Sequence, residues 1–368
     1  GFATTLIIGI ITSVITSIFV TRLIFDDRIQ KGKSITFEND LTKNFLKNTK
    51  VDFVGARKWS YIISGILIVI SLGSMLTKGF TYGVDFTGGR TYVVRFDQPV
   101  TAEDIRSAAN AEFDGSVEVK QFGGESQMKI TTAYKYEDET SAVDSEIEGK
   151  LFKALKPFFK EDIQISDFVS TLDNPNGIIS SDKVGATIAN DIKRNAIIAV
   201  LIALLVIFCY IALRFRGWTW GLGGVVSLAH TAIIVIGFFS LFSGILPFNL
   251  DVDSTFIAAI LTIIGYAIND NVVIFDRIRE ELGLHPSSDF KETVNKALNA
   301  CLTRTVNTSV STLIVMLAIA IFGGESIRGL SVALILGICF GTYASIMIGT
   351  PIMFDVTKKA AAKKTAKK

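Results

Sequence analysis

Seven apolar segments, each about as long as a bilayer's hydrocarbon core is thick, restrict this chain more than any other feature of its sequence. About 20 apolar residues in a helix cross a membrane, and 49% of the 368 residues are hydrophobic. The sequence therefore predicts a polytopic α-helical membrane protein with seven spans and excludes a soluble enzyme. The predicted spans are residues 2–25, 60–77, 194–213, 219–243, 254–275, 305–322 and 328–354.

One large polar region, residues 79–190, separates the second span from the third. Its hydrophobic pattern changes to the two-residue period of strands at TYVVRF, residues 91–96. Thr101 and Asp104 predict a capped helix start, and Gly88 with Gly89 predicts a tight turn. The region is predicted to be an α+β domain, and the order of its predicted elements is compatible with a ferredoxin-like β-α-β-β-α-β unit. Strands are predicted at 81–86, 90–97, 116–122, 126–132 and 163–172, and helices at 102–111 and 140–157.

Basic residues indicate the orientation of the spans. If the spans alternate, all basic clusters fall on one side, which the positive-inside rule makes cytoplasmic. The polar region then lies outside the cell membrane and the carboxyl terminus lies in the cytoplasm. A net charge of +2 gives no reason to expect a nucleic-acid partner. The basic clusters are the linker 26–58 with Arg22, the Arg214–Arg216 turn, the 276–304 loop and the tail 356–368.

Two spans carry polar stripes that point to an ion path. On span 254–275, the side chains at Thr262, Tyr266, Asn269 and Asp270 fall within one third of the helix circumference. A carboxylate inside a membrane is costly and commonly marks an ion pathway. The next span places the polar residues Arg304, Asn307 and Thr308 along one face, so an acid and an arginine could pair. The alternative is that Asp270 snorkels to the interface and Arg304 is an ordinary cytoplasmic flank.

Other signals are weaker. His230, within a span, is a candidate proton relay or a hydrogen-bonded packing residue. Neither His230 nor His285 has partners at metal-ligand spacing, so no metal site is predicted. No catalytic residues or nucleophile motif are found, and the protein is not expected to be an enzyme. The loop 276–304 is interpreted as an amphipathic helix on the membrane surface, and the residues Gly337, Gly341 and Ser345 as helix-packing positions.

Several long motifs, in order along the chain, resemble the SecF family of bacterial protein-export membrane subunits. They are TYGVDFTGG at 81–89, KVGATIANDIKRNA at 183–196, IAAILTIIGYAINDNVVIFDRIRE at 257–280 and LTRTVNTSVSTL at 302–313. Residues 1–25 resemble the last helix of SecD, so the chain looks like the carboxyl-terminal part of a fused SecDF. The expected domains are then the SecD helix 1–25, the linker 26–58, the first SecF span 59–78, a periplasmic domain 79–190, a five-helix bundle 191–355 and a cytoplasmic tail 356–368.

The resemblance implies a member of the resistance–nodulation–division superfamily in the bacterial inner membrane. It implies an accessory subunit of the Sec translocase that uses the transmembrane ion gradient, proton or sodium, in late steps of preprotein export, without a cofactor. The family's ion-path acid and arginine match Asp270 and Arg304. Thr231 stands where the family commonly has Asp, and Asn271 where it commonly has Thr. The implied partners are the SecD half, the SecYEG channel, SecA, YidC, unfolded preprotein and the lipid bilayer.

Two other functions fit a membrane protein with these features. One is an exporter of small molecules or lipids from the same superfamily, which usually has larger, duplicated external domains. The other is a membrane scaffold without transport, in which Asp270 and Arg304 would only be polar helix-packing groups. Measured ion flux separates both transporters from the scaffold.

Overall fold

The computed structural model describes residues 2–33, 35, 46, 49–113, 117–122, 124–138, 140–169, 176–246, 248, 250–323 and 325–365. The chain divides into two units, Gly1–Val51 and Asp52–Lys368, and each is described by itself. Among the described residues, seven helical segments are long and apolar enough to cross a membrane, which confirms the predicted polytopic architecture.

The first unit is a helix of three consecutive pieces. These are α1 (Phe2–Ile15), a π-helical turn (Thr16–Val20) and α2 (Thr21–Gln30). Hydroxyl groups inside it bond back to its own backbone, as Thr16 Oγ1 does to the Thr12 carbonyl at 2.8 Å. Such bonds satisfy polar side chains inside an apolar helix, so this span can tolerate them in lipid. The helix continues past the predicted end at residue 25, and most of the predicted linker beyond residue 33 lies outside the described residues.

The other six spans belong to the second unit, where the span Trp218–Phe242 contacts four of the others: Phe53–Thr77, Ala186–Arg214, Ser254–Leu284 and the span that begins at Glu325. Their exposed side chains are mainly Ile, Leu and Val, which suit a lipid-facing surface. The spans are α3 (Phe53–Thr77), α8 (Ala186–Arg214), α9 (Trp218–Phe242), α10 (Ser254–Leu284), α11 (Phe290–Phe322), and α12 (Glu325–Ala344), which continues through a π-helical turn (Ser345–Gly349) into α13 (Thr350–Thr365).

The predicted surface helix over residues 276–304 is wrong. Helix α10 continues to Leu284 and α11 begins at Phe290, so the segment is a helical hairpin. The Asp289 carboxylate starts α11 by accepting hydrogen bonds from the backbone N–H groups of Lys291 and Glu292. The apolar residues that suggested contact with lipid are instead buried between helices, among them Ile278, Val294, Ala297 and Leu298. An amphipathic pattern predicts an apolar face but not what covers that face.

The domain between the second and third spans, which the positive-inside rule predicts to be external, has the predicted ferredoxin-like order. It consists of β1 (Gly89–Arg95), α5 (Ala102–Glu112), β2 (Val117–Gln121), β3 (Gln127–Thr132), α6 (Ser141–Leu155) and β4 (Gly177–Val184), with the short helix α7 (Ile165–Val169) before β4. The antiparallel sheet has the order β2-β3-β1-β4. Alternate residues of β1, such as Tyr92 and Val94, join the core formed with α5 and α6. Three of the predicted strands and both predicted helices are therefore confirmed.

The two other predicted strands are wrong. Residues 84–87 form a short helix, α4 (Val84–Thr87), because the N–H groups of Phe86 and Thr87 both bond to the Gly83 carbonyl. Within 163–172, residues 165–169 are helical, and 170–172 lie outside the described residues. Gly88 has a φ of 80°, as a tight turn requires, but it joins α4 to β1 and does not join two strands.

Candidate functional site

The only Asp or Glu near the middle of a described span, Asp270 on α10, lies in a contact between three helices. Its carboxyl group is buried, with 4% of the residue exposed. The hydroxyl of Thr342 on α12 donates to the Asp270 carboxylate at 3.5 Å, the outer limit of a hydrogen bond. Thr342 also shares a 2.6 Å hydrogen bond with Ser309 on α11. The acid therefore faces protein hydroxyl groups at the centre of the bundle and does not snorkel to the interface.

Arg304 does not form an ion pair with Asp270. It lies near enough to act on the carboxylate electrostatically, but within the described part of the chain no salt bridge joins the two residues. The Arg304 residue is exposed at the surface of the bundle. The predicted pairing is therefore not made in this conformation, although the two charges are neighbours.

The remaining residues of the predicted α10 stripe separate into different environments. The hydroxyl of Tyr266 donates to Thr312 of α11 at 3.3 Å. Within the described structure, the Thr262 hydroxyl bonds to the carbonyl of Ala258 on its own helix, at 2.8 Å. Asn269 is exposed. The stripe thus contacts α11 through Tyr266 and α12 through Asp270, and it leaves an amide on the outer surface.

The polar face of α11 points away from the described bundle. Asn307 and Thr308 are exposed, as Arg304 is. Thr308 bonds to carbonyl groups of its own helix, those of Arg304 and Thr305. An amide and a guanidinium in direct contact with lipid tails would cost several kcal/mol (about 2.5–3.5 for Arg at a helix centre). This face therefore requires a polar partner or water.

His230 lies elsewhere in the bundle. It is 3% exposed, and neither ring nitrogen has a hydrogen-bond partner among the described residues. Its ring centre is 6.0 Å from that of Tyr343, whose hydroxyl contacts Ser64 at 3.1 Å. No described hydrogen bond links His230 to Asp270, so the relay role stays a prediction.

A second buried polar cluster, around Asn271, was missed from the sequence. The Asn271 amide donates to Ser227 Oγ of α9 at 3.4 Å and to the Ala267 carbonyl at 3.1 Å. Its Oδ1 is buried without a hydrogen-bond partner in the described structure. Thr231, which with Asn271 differs from the residues that the sequence resemblance implies, donates to the Ser227 carbonyl at 3.0 Å. The two departures therefore meet at Ser227, a contact between α9 and α10 that the sequence alone does not indicate.

The cluster lies beside the π-helical turn of the last span. Gly349, in this turn, is so close to α9 that an added Cβ would lie 2.8 Å from the Ser227 Cβ and 3.0 Å from Asn271 Oδ1. A π-helical turn inside an α-helix often marks a functional position. The predicted packing position Gly341 also has close contacts, since an added Cβ would lie 3.1 Å from the Ala267 Cβ.

The chemistry available at Asp270 is cation binding and proton exchange. Groups of three or more His, Cys, Asp or Glu that could hold a metal ion do not occur among the described residues. One carboxylate with the hydroxyl groups of Thr342 and Ser309 provides oxygen ligands only, which suit a proton or a hard cation such as sodium. The site can therefore change its charge by gaining or losing a proton or a cation.

Comparison with known proteins identifies the family. The family described as "Protein export membrane protein SecD/SecF, C-terminal" matches residues 164–359, and the "SecD/SecF GG Motif" matches residues 73–100. The chain is 40% identical over 318 residues to the "Protein translocase subunit SecF" of Rhodothermus marinus, covering 86% of this chain and 97% of that protein.

Longer relatives match the whole chain. It is 31% identical to the "Protein translocase subunit SecDF" of Thermus thermophilus, covering 100% of this chain but 46% of that protein. The crystal structure of Thermus SecDF, described as a translocon-associated membrane protein, superposes with a TM-score of 0.74 at 29% identity, covering 97% of this chain and 45% of that one. The chain thus spans about half the length of these fused relatives. With a family match over more than half of its length and a 40% identical relative, the chain belongs to the SecD/SecF family of protein-export membrane proteins.

Proposed function

We propose that this chain is the SecF-like half of a Sec translocase subunit that uses an ion gradient to promote late steps of preprotein export. The observation that carries the proposal is Asp270, an acid buried among hydroxyl groups where three membrane helices meet. A group that exchanges a proton or sodium ion there changes the charge inside the bundle. Because each unit charge crossing 100 mV corresponds to about 2.3 kcal/mol, repeated exchange can drive a conformational cycle.

The exposed polar face of α11 supports a partner inside the membrane. Arg304 and Asn307 require cover that the described bundle does not supply. A second half that resembles SecD, as in the fused relatives, would provide it, and the ion path would then lie between the halves. The SecYEG channel, SecA and YidC are the proposed partners for export itself, and the unfolded preprotein is the substrate of the external domain.

The arrangement of the helix ends supports the predicted orientation. At one end of the bundle, Asp52 pairs with Lys291 and Arg57 with Asp355, which brings the ends of α3, α11 and α13 together near basic segments. The external domain follows the opposite end of α3. By the positive-inside rule the first end is cytoplasmic, and the domain faces the periplasm of a bacterial inner membrane.

Cysteine labelling tests this orientation. We expect Ser107→Cys, at an exposed position of α5, to react with a membrane-impermeant thiol reagent in intact spheroplasts, in a background without Cys209, Cys301 and Cys339. Ser287→Cys, exposed in the link between α10 and α11, is the matched control and should react only after lysis. Labelling of Ser287→Cys in intact spheroplasts, with Ser107→Cys protected, would reverse the topology and exclude the export role.

Export by the reconstituted full-length protein tests the function. Vesicles with the full-length protein and the SecYEG channel should complete preprotein passage faster when an ion gradient is imposed. A protonophore and a sodium ionophore would be added in separate arms of the experiment. The one that removes the stimulation of export identifies the coupling ion. Stimulation that survives both ionophores together would refute ion coupling.

A further inference from the structure

The start of the external domain is bound directly to the outer end of α10, the helix that carries Asp270. The Val252 N–H donates to the Thr81 carbonyl at 2.8 Å, and the Gly83 N–H donates to the Val252 carbonyl at 3.1 Å. These bonds form a parallel β-bridge between Tyr82 and Val252. The first residues of the TYGVDFTGG motif therefore pair with the loop that leads into α10.

Asp85 of the same motif contacts the first residue of α10. Its Oδ2 accepts a hydrogen bond from the backbone N–H of Ser254 at 3.1 Å. Asp253, the residue before α10, accepts from the Phe256 N–H at 2.7 Å. The amino end of α10 thus has two carboxylates, which its dipole favours, and Asp85 is the one supplied by the domain.

Gly83 permits this close approach. A Cβ at this position would lie 2.9 Å from the Asp253 Cβ, closer than side-chain atoms pack. From Asp85 the chain passes through α4 directly into β1, an interior strand of the sheet. Ser254 and Asp270 lie on one continuous helix, about 24 Å apart at 1.5 Å per residue. The buried acid is therefore connected to the sheet through α10, the Asp85 contact at its first residue, and α4, which leads directly into β1.

A second contact holds the same loop. Lys120 on β2 lies 3.8 Å from the Asp251 carboxylate and also pairs with Glu118. Burial, together with the neighbouring Glu118 carboxylate, raises the pKa of Asp251 above its usual range. The loop between α9 and α10 is thus bound to the domain at two places, by the TYGVDFTGG segment and by β2.

We infer that Asp85 and Lys120 are positioning residues that couple movement of α10 to the external domain. The inference rests on the proposed function. It holds that, after ion exchange at Asp270, movement of α10 is transmitted to the external domain through these two residues. It gives the TYGVDFTGG motif a mechanical role, because the motif attaches the domain to the ion-carrying helix at that helix's first turn. Loss of either contact should uncouple ion movement from export without blocking the ion path.

The test compares Asp85→Ala with Asp85→Asn in the full-length protein, with ion uptake and export measured on the same vesicles. We expect Asp85→Ala to lower export stimulation about fivefold or more, the factor that corresponds to one lost capping hydrogen bond. Ion uptake should persist. Asp85→Asn keeps an oxygen acceptor for the Ser254 N–H, so it should stay within about twofold of wild type in the same assay.

Asp97→Ala is the matched control. The Asp97 carboxylate also accepts backbone hydrogen bonds, from the N–H groups of Lys160 and Glu161, but these lie inside the domain. The Asp97→Ala variant should therefore leave the coupling between ion uptake and export unchanged. If Asp85→Ala does not reach the membrane, Lys120→Met decides the question, since it removes the contact with Asp251, along with the pairing to Glu118 inside β2, and leaves the Asp85 bond to α10 intact.

The outcomes separate this inference from the proposed function. Retained ion uptake with reduced export in Asp85→Ala or Lys120→Met supports the coupling role. Wild-type export in these variants, with Asp270→Asn inactive, overturns the coupling role and leaves the proposed function intact. Loss of ion uptake in a normally folded Asp85→Ala also overturns it, because the residue would then serve the ion path. Wild-type export in Asp270→Asn refutes the proposed function itself.

Discussion

Replacement of Asp270 by Asn is expected to abolish gradient-dependent export while leaving the protein folded. Asparagine has almost the same size and can still accept a hydrogen bond from Thr342, but it neither titrates nor carries charge. Without an exchangeable charge, a membrane potential of 100 mV can no longer contribute its roughly 2.3 kcal/mol to the cycle. The measurement is preprotein translocation with and without an imposed gradient, at matched protein content.

The control for this variant is Asp276→Asn on the same helix. Asp276 lies six residues nearer the carboxyl end of α10, where its half-exposed carboxylate pairs with Arg279 and Arg214. The chemical change is identical, but the position is outside the buried cluster, so export should stay near wild type. Equal behaviour of the two variants, both active or both inactive, would show that burial of Asp270 has no special role.

Replacement of Gly223 by Val is expected to destabilise the membrane bundle by about 3 kcal/mol, at the upper end of the usual cost of overpacking. Even a Cβ at this position would lie 2.5 Å from the Gly349 carbonyl oxygen and 2.7 Å from the Met353 Cβ. Backbone cannot move aside as a flexible side chain can, so α9 must separate from the π-helical turn. Thermal unfolding in detergent measures the loss.

Gly65→Val is the control for helix propensity and added volume. Gly65 lies in α3, and a Cβ there would meet nothing within 4 Å. The unfolding temperature of the Gly65→Val variant should remain close to that of the wild type. If Gly223→Val unfolds at the same temperature as Gly65→Val, the close approach of α9 to the last span is not required for stability.

The sequence predicted the membrane spans and the buried acid well because both follow from local rules. An apolar segment of about 20 residues has few alternatives to a helix in lipid, since backbone groups there must bond internally. A carboxylate in such a helix must face protein or water, and Asp270 does face protein. These inferences needed no knowledge of which helices are neighbours.

The features that sequence reasoning missed depend on tertiary contacts. Strand β4 was missed because its exposed Ser181, Asp182 and Lys183 read as a loop, although polar residues are common on an edge strand. The Asn271–Ser227 contact joins two helices that both pack closely against Gly349, far along the chain. Arg304 was expected to pair with Asp270, but it is exposed, and no salt bridge joins the two residues in the described part of the chain.

Ion uptake tests the central claim most directly, because it measures the ion path without any other component of the translocase. Vesicles containing the full-length protein, wild type or Asp270→Asn, would be given a potential of about 100 mV and followed with interior proton-sensitive and sodium-sensitive dyes. We predict uptake of one of these ions by the wild type and none above protein-free vesicles by Asp270→Asn. Equal uptake by the two proteins would contradict the assignment of Asp270 as the ion-carrying group.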